Sequence, residues 1–363
     1  MSSLTKANIE AQLALFLDPY LQQDWVTLRA IKDIVIQHNT VDISITLGYP
    51  FKEKQSEWEA HLQQLLQPIL GHRQLHVHFT MQIEPHVGKS GITALPNVKN
   101  IIAIASGKGG VGKSMLAVNL ALALAQEGAE VGILDADIYG PSQPVMLGVQ
   151  AQPDFKDKQN LLPIVRHGIQ SMSMGYLVNE KTAMVWRGPM ISMAMQQLLN
   201  QTSWDALDYL IVDLPPGTGD VQLTLAQKIP VSAAVIVTTP QDLALADARR
   251  ACEMFRKLQV PILGVVENMS YYQCAHCQHK EHLFGQDGGS KLAQQFAIDL
   301  LGAIPLDKQI RVLTDGGVPP VIQSPQGEHA ILFRQLARTI AAKLSLQKKD
   351  YSGKFPKVVV KQD

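Results

Sequence analysis

One stretch in the first third of the chain limits the possible folds more than any other feature. Residues 107–114 read GKGGVGKS, which satisfies the phosphate-loop pattern G-x-x-x-x-G-K-[ST]. An apolar run of strand length, Ile101–Ala105, precedes the loop, and Ser114–Glu127 after it has helical composition. The residues predicted to bind the nucleotide are Gly107, Lys108, Gly109, Gly110, Val111, Gly112, Lys113 and Ser114. The pattern therefore predicts a nucleoside triphosphate bound where a strand turns into a helix.

The residue types in this loop suit the chemistry of a triphosphate. Its glycines allow backbone conformations in which successive N–H groups point at phosphate oxygens. Lys113 is predicted to neutralise the β and γ phosphates of the nucleotide, and Ser114 is predicted to bind Mg²⁺. The alternative is a glycine-rich turn that binds no ligand.

Two further apolar runs of strand length end in a carboxylate, Val131–Asp135 and Tyr209–Asp213. Ligands bind at the carboxyl ends of strands in open parallel sheets. An acidic side chain there can hold magnesium-bound water or orient the attacking water, although it can also simply cap a helix. Lys113, Asp135, Asp137 and Asp213 are therefore candidate catalytic residues.

Composition favours a two-domain protein of a reducing compartment. The chain has 363 residues, of which 46% are hydrophobic, and this length suggests about two domains. Lysine plus arginine and aspartate plus glutamate both number 32, so no overall charge attracts nucleic acid or an anionic membrane. Only three cysteines occur, and no apolar run reaches membrane-spanning length. We therefore expect a cytoplasmic protein without nucleic-acid or membrane partners.

Lys108 adds a second lysine at the start of the loop. The pattern K-G-G-x-G-K-[ST] resembles the deviant Walker A loop of the nitrogenase iron protein, MinD and ParA class. In that class the extra lysine reaches across a homodimer to the phosphates of the other subunit. The resemblance implies an ATP-dependent homodimer in which Lys108 is a further candidate catalytic residue. A solvated surface lysine is the alternative.

Cys274 and Cys277 form a C-x-x-C pair in a loop after the predicted strand Pro261–Glu267. Two thiolates at this spacing can share one metal, but an iron-sulfur cluster or a tetrahedral metal requires four ligands. A two-fold dimer would supply the other two, which predicts a [4Fe-4S] cluster bridging the subunits. The alternatives are a redox dithiol, unligated thiols, or zinc bound within one subunit with neighbouring histidines. Those histidines are His276, His279 and His282.

The deviant loop, the C-x-x-C pair and two acidic motifs together resemble the Mrp/ApbC iron-sulfur cluster carrier ATPases, also called the Mrp/NBP35 family. The acidic motifs are DADIYGPS at 135–142 and DLPPGTGD at 213–220, and the resemblance covers Asn100 to about Leu346. It implies that Asp135 and Asp137 belong to the first switch and Asp213 to the Walker B position. It also implies that Asn268 contacts adenine. This chain departs from the family at Ala275, where proline is usual, which puts the rigidity of the cysteine loop in question.

The N-terminal third resembles the small MIP18-like domain that often precedes such ATPases. Residues 41–47 and 75–83 alternate in polarity as half-buried strands do, while 57–70 and Ile9–Leu17 have helical spacing. The turn at residues 47–51 lacks the cysteine common in that domain, so docking or scaffolding is the expected role.

The predicted organisation is a MIP18-like domain at 1–85, a linker at 86–98, the ATPase domain at 99–346 and a polar tail at 347–363. The expected fold is an α/β P-loop NTPase of the SIMIBI/MinD-like class, with a mostly parallel sheet flanked by helices and a small N-terminal α+β domain.

Two classes of function fit these features. The first is an ATP-binding carrier that takes a [4Fe-4S] cluster from a scaffold protein and passes it to apo-proteins, with hydrolysis switching its conformation. The second is a positioning ATPase of the MinD or ParA type, or a zinc-containing regulatory ATPase. An electron-transferring ATPase is a weaker fit, because the nitrogenase iron protein uses widely separated cysteines. The sequence does not decide which of Asp135 and Asp137 acts on water and which on Mg²⁺.

Overall fold

The N-terminal unit is a three-stranded sheet packed with two helices. The structure is a computed structural model that describes residues 4–86, 92–177 and 188–350. The elements are α1 (Lys6–Leu13), β1 (Ile31–Ile36), β2 (Thr40–Leu47), a 3₁₀ turn (Lys52–Lys54), α2 (Gln55–Leu70) and β3 (Gln74–Met81). β1 pairs antiparallel with β2, and β2 pairs parallel with β3 because α2 carries the chain back between them.

Aromatic rings fill the space between this sheet and its helices. The rings of Trp25 and Trp58 lie 5.4 Å apart, and Phe79 lies 5.7 Å from Trp25. The buried carboxylate of Asp18 accepts hydrogen bonds from the Trp25 indole, at 2.9 Å, and from the Tyr49 hydroxyl. These donors satisfy a charge that would otherwise be costly to bury.

One prediction in this unit needs correction, and one strand was missed. The first helix was expected over Ile9–Leu17, but a capping box between Thr5 and Asn8 starts it at Lys6 and it ends at Leu13. β1 was not predicted at all. A register shift between Ile31 and Asp33 breaks the alternation of inward and outward side chains on which strand prediction depends.

The larger unit follows from Val98 onward. Its first half contains β4 (Val98–Ser106), α3 (Lys113–Gln126), β5 (Val131–Asp135), α4 (Gln143–Met146), β6 (Ile164–Arg166), β7 (Ile169–Ser173), a 3₁₀ turn (Met174–Tyr176), α5 (Gly188–Gln201), β8 (Leu207–Asp213) and α6 (Asp220–Lys228). The second half contains β9 (Ala233–Thr238), α7 (Asp242–Lys257), β10 (Ile262–Glu267), β11 (Tyr272–Gln273), β12 (Lys280–Glu281), α8 (Gly288–Phe296), β13 (Asp299–Ala303), α9 (Lys308–Asp315), α10 (Pro320–Gln323) and α11 (Glu328–Ser345).

Eight of these strands form one sheet in the order β13-β10-β9-β4-β8-β5-β7-β6. All neighbouring pairs are parallel except β6 with β7 at one edge. β4, β5 and β8 are adjacent or nearly so, and each ends at the same side of the sheet. The predicted α/β fold with a mostly parallel sheet is confirmed, and the phosphate loop and both acidic motifs lie at carboxyl ends of strands.

A cluster of charged side chains, all of them buried except Glu53, joins the two units. Arg338 on α11 pairs with Glu127, at the C-terminal end of α3, and lies 3.8 Å from Glu53 of the N-terminal unit. Arg334, one turn earlier on α11, also pairs with Glu53. The backbone N–H groups of Lys52 and Glu53 donate to Glu127, each at 3.2 Å. The N-terminal unit is therefore held against both the C-terminal helix and the end of the helix that follows the phosphate loop.

The predicted linker and tail are described only in part, since residues 87–91 and 351–363 lie outside the described ranges. Within them, His86 and Lys349 form an isolated antiparallel bridge, and the Asp350 N–H donates to the Pro85 carbonyl at 2.8 Å. The start of the linker and the start of the tail thus lie side by side. The predicted domain boundaries stay predictions.

Candidate functional site

The backbone conformation of the phosphate loop requires glycine at two positions. Gly110 and Gly112 have φ angles of +80° and +84°, in the left-handed region that residues with a β-carbon rarely adopt. A β-carbon on Gly112 would also overlap the side-chain amide of Asn268. Gly112 lies immediately before α3, so the loop ends at the N-terminus of that helix, where unpaired N–H groups favour an anion.

Lys113 lies at the first position of α3 and is buried. Its ammonium group pairs with the Asp213 carboxylate and lies 3.2 Å from the Ser114 hydroxyl. The structure therefore brings Lys113, Ser114 and Asp213 together at the ends of β4 and β8. Lys113 is the predicted cation for the phosphates, and Ser114 and Asp213 carry the oxygen atoms predicted to bind Mg²⁺. Their roles stay predictions.

Lys108 differs from Lys113 in its surroundings. Its side chain is exposed, and it has no ion-pair partner among the residues that the structure describes. Its carbonyl accepts a hydrogen bond from the Ser106 hydroxyl at 2.9 Å, which fixes the backbone. Lys108 lines the same cavity as Lys113, Ser114 and Asp137. An exposed cation at the rim of that cavity is available to a phosphate in the cavity or to a group on another molecule.

Asp135 and Asp137 have different environments. The buried Asp135 carboxylate accepts hydrogen bonds from the N–H groups of Asp137, Ser142 and Gln143, at 3.2, 2.9 and 3.1 Å, and from the Ser173 hydroxyl at 3.1 Å. Asp135 therefore holds the loop after β5 in place. Asp137 is half-buried and lines the phosphate-loop cavity, and burial raises the pKa of its carboxyl while the charge of Lys113 lowers it.

Asp135 makes the stability of the chain depend on pH. Burial, and then the negative charge of Asp213, raise the pKa of Asp135 from 3.8 to about 7. Between those values the folded chain keeps a proton that the unfolded chain releases, so we expect the free energy of unfolding to fall as pH rises through this window. Urea unfolding at about pH 5 and about pH 7 measures the fall, which should be smaller in Asp135→Asn. An equal fall in both proteins would contradict this assignment, since all other titrating groups are shared.

Gln143 is a site residue that the sequence analysis missed. Its buried side-chain amide donates to the Asp213 carboxylate at 2.9 Å and to the Ser114 carbonyl at 3.1 Å, while its backbone N–H donates to Asp135. One residue thus connects the loop after β5, the phosphate loop and the end of β8. Gln143 belongs to no motif that the sequence analysis recognised, and its partner Asp213 lies 70 residues away in the sequence, so no local signal distinguished it.

Asn268 lies directly after β10 and is buried. Its side-chain amide donates to the Val111 carbonyl of the phosphate loop at 2.8 Å. It also lines a largely apolar cavity of about 200 Å³ that continues from the loop past Met115, Leu306 and Ile310. This position, size and polarity suit a planar base attached to a phosphate chain at the loop, and the adenine contact stays a prediction.

Cys274 and Cys277 lie on a short hairpin between β11 and β12. The Cys274 N–H donates to the His279 carbonyl and the Gln278 N–H donates to the Cys274 carbonyl, both at 2.9 Å. Cys274 is half-buried and Cys277 is exposed. The N–H groups of Cys277 and His276 lower the pKa of the Cys274 thiol, which favours the thiolate that binds metal.

The histidines near this hairpin do not join the cysteines in a metal site. His282 directs its Nδ1 to the Ser270 carbonyl at 2.9 Å. Across the described ranges, no three His, Cys, Asp or Glu side chains come together as metal ligands. The hairpin therefore offers two thiols, and a four-ligand metal or cluster would take its other ligands from outside this subunit. The cluster shared by two subunits stays a prediction.

Comparison with known proteins decides the family. Residues 97–341 match the family model described as "NUBPL iron-transfer P-loop NTPase". The chain belongs to this family. Residues 6–79 match a second model, "Iron-sulfur cluster assembly protein", which agrees with the expected MIP18-like unit. The Mrp-type resemblance is thereby confirmed.

Relatives and solved structures support this membership in the NUBPL family. The Escherichia coli K12 protein named "Iron-sulfur cluster carrier protein" is 46% identical over 343 residues, 94% of this chain and 93% of that protein. A nucleotide-binding protein from Archaeoglobus fulgidus, solved in complex with ADP, matches with a TM-score of 0.55 and 36% identity over 64% of this chain and 90% of that one. The Pyrococcus furiosus cell division ATPase MinD matches with a TM-score of 0.51 at 23% identity over 66% of this chain and 98% of that one, which supports the fold. Among the described residues, no helix combines the length and apolarity needed to span a membrane.

Proposed function

We propose that this NUBPL-family NTPase is an ATP-binding iron-sulfur cluster carrier. In this proposal a [4Fe-4S] cluster is held by Cys274 and Cys277 of two subunits and is passed from a scaffold protein to apo-proteins. ATP hydrolysis switches the carrier between conformations that hold and release the cluster. The cluster is cargo, and the hairpin with its two accessible thiols is the place where it would be received and given up.

The observation that carries this proposal is the short path between the phosphate loop and the cysteine hairpin. Asn268 is bonded to the loop through Val111 and lies six residues before Cys274. Between them, the Ser270 N–H donates to Ile304 at 2.9 Å, and the Leu306 N–H donates to Tyr271 at 2.7 Å. Leu306 in turn lines the apolar cavity beside the loop. A nucleotide in that cavity would therefore contact the segments that fix the base of the hairpin.

The residues at the sheet edge supply the parts that phosphoryl transfer requires. Lys113 and the loop N–H groups would hold the phosphates, and Ser114 and Asp213 would hold Mg²⁺ directly or through water. Asp137 faces the cavity and is our candidate for positioning the attacking water, whereas Asp135 would position the loop that carries it. Lys108, exposed at the rim, would reach the phosphates of the second subunit in a homodimer.

The rest of the chain would support this cycle in the cytoplasm. We propose that residues 1–85 act as a docking or scaffolding domain, joined through a linker at 86–98 to an ATPase domain at 99–346 and followed by a tail at 347–363. The cluster donor and the recipient apo-proteins are its expected partners. The balanced charge of the chain gives no support for nucleic-acid binding.

Anaerobic reconstitution with iron and sulfide tests the cluster assignment. We expect the wild-type chain to bind about four irons per two chains, with the visible absorption of a [4Fe-4S] cluster and the mass of a dimer. Replacing Cys274 and Cys277 with alanine should abolish the colour. Cys252→Ala is the matched control, because burial raises the pKa of that thiol to about 12 and it should not bind iron. A double variant that keeps its cluster, or a colourless wild type that holds zinc, would contradict the proposal.

A further inference from the structure

The two oxygens of the Asp213 carboxylate have different partners. Oδ1 pairs with the Lys113 ammonium, whereas Oδ2 accepts a hydrogen bond from the side-chain amide of Gln143 at 2.9 Å. Asp213 and Gln143 are both fully buried. One partner is therefore a cation that a bound phosphate would attract, and the other is a neutral amide that belongs to the packed interior.

The orientation of the Gln143 amide is fixed by its surroundings. Its nitrogen also donates to the Ser114 carbonyl at 3.1 Å. A carboxylate and a backbone carbonyl can only accept hydrogen bonds, so the amide nitrogen must face both of them. A flipped amide would place its oxygen against two acceptors. Gln143 therefore gives the Asp213 carboxylate a partner of fixed position.

The backbone of Gln143 holds the end of the loop that carries Asp137. Its N–H donates to the Asp135 carboxylate at 3.1 Å, which binds the main chain to the end of β5. Its side chain binds the same point to Asp213 at the end of β8. Residues 136–142 therefore end at a residue that is bonded to two strand ends.

We propose that Gln143 is a positioning residue for phosphoryl transfer, acting through Asp213 and through the loop that carries Asp137. This inference rests on the function proposed above. When a phosphate attracts Lys113 away from Oδ1, the hydrogen bond from Gln143 to Oδ2 keeps the carboxylate in place. Oδ1 is then the oxygen that is free for the predicted Mg²⁺ or for water bound to it, and carboxylate oxygens are ligands that Mg²⁺ prefers.

This role affects turnover more than nucleotide binding. Gln143 does not line the phosphate-loop cavity, so we expect it to make no contact with the phosphates. Asp213 faces a cation both before and after binding, first Lys113 and then the predicted Mg²⁺. The hydrogen bond from Gln143 should therefore contribute about equally to the free and the bound states, and its loss should lower kcat with little change in KM.

Gln143→Met tests this separation, because methionine is unbranched and of similar length but offers no N–H donor. We expect kcat for ATP hydrolysis to fall about tenfold or more, since small displacements of groups at the reacting phosphate are costly. KM for ATP and the dissociation constant of ADP with Mg²⁺ should each change by less than about threefold. An active wild type with an unchanged kcat in Gln143→Met, or with equal losses of kcat and of affinity, would overturn this inference alone. A wild-type chain that hydrolyses no ATP would overturn the proposed function as well.

Amide hydrogen exchange gives a readout that does not depend on turnover. With ADP and Mg²⁺ bound, residues 136–142 should exchange about tenfold or more faster in Gln143→Met than in the wild type. The reason is that a hydrogen bond to a charged group no longer holds the end of this loop. Equal exchange in the two proteins would overturn the inference.

Gln126→Met is the matched control. The Gln126 amide donates to the Val321 carbonyl at 2.7 Å, at the opposite end of α3 from the phosphate loop. Its loss should leave kcat and the exchange of residues 136–142 unchanged, and the same effects in both variants would show a general loss of packing instead. If Gln143→Met does not fold, Gln143→Asn replaces it. Its amide is one methylene shorter and cannot reach both acceptors, so we expect the same fall in kcat at unchanged KM.

Discussion

Replacing Lys113 with methionine will lower ATP turnover by at least about 10²-fold, because one preorganised positive group at the transferring phosphate is removed. The same change will destabilise the chain before any nucleotide is added. Lys113 is the cation paired with the buried Asp213, and leaving a buried charge unpaired costs about 3–5 kcal/mol. Steady-state turnover and urea unfolding measure the two effects on one preparation.

Lys108→Met is the matched control for Lys113→Met. Lys108 is exposed and lacks an ion-pair partner within the described ranges, so its loss should change the free energy of unfolding by less than about 0.5 kcal/mol. We expect Lys108→Met to lower ATP turnover only at protein concentrations at which two subunits associate. A Lys113→Met chain that keeps more than about a tenth of wild-type turnover would contradict the role given to this lysine.

Replacing Arg338 with methionine will loosen the contact between the N-terminal unit and the rest of the chain. Arg338 is buried, pairs with Glu127 and lies with its guanidinium 5.3 Å from the centre of the Tyr20 ring. Its removal leaves the buried Glu127 with fewer cationic neighbours, and we expect a loss of about 3–5 kcal/mol in the free energy of unfolding. Burial raises the pKa of Glu127 and Arg338 lowers it, so the variant should recover part of this loss in acid, where Glu127 takes a proton.

Two further variants separate charge pairing from packing, one at an exposed ion pair elsewhere in the chain and one at this contact. Arg311→Met breaks an exposed pair with Asp315 on α9 and should cost less than about 1 kcal/mol. Changing both Glu127 and Arg338 to methionine removes both charges together and should restore much of the stability lost in Arg338→Met. If the double variant is no more stable than Arg338→Met, lost packing rather than an unpaired carboxylate explains the effect.

The sequence predicted those parts of the molecule that depend on neighbours along the chain. The phosphate loop, the acidic strand ends and the apolar strands of the sheet follow from local patterns, because glycine conformations and strand periodicity are set over a few residues. The strand β1 was not predicted because a bulge interrupts the alternation of inward and outward side chains along it. The sequence analysis also missed Gln143 and the ion pair between Glu127 and Arg338, for another reason. Their partners are brought together only by the fold, across 70 residues for Gln143 and Asp213 and 211 for the ion pair.

The pair between Lys113 and Asp213 has a thermodynamic consequence for how a nucleotide and a metal would bind. A phosphate that takes the lysine leaves the aspartate without its counter-charge, in a place where an isolated charge is costly. A divalent cation at Asp213 offsets that cost, so nucleotide and metal must each tighten the binding of the other by the same factor. Free nucleotide and free metal would then both be poor ligands alone, and the chain would respond to their product rather than to either concentration.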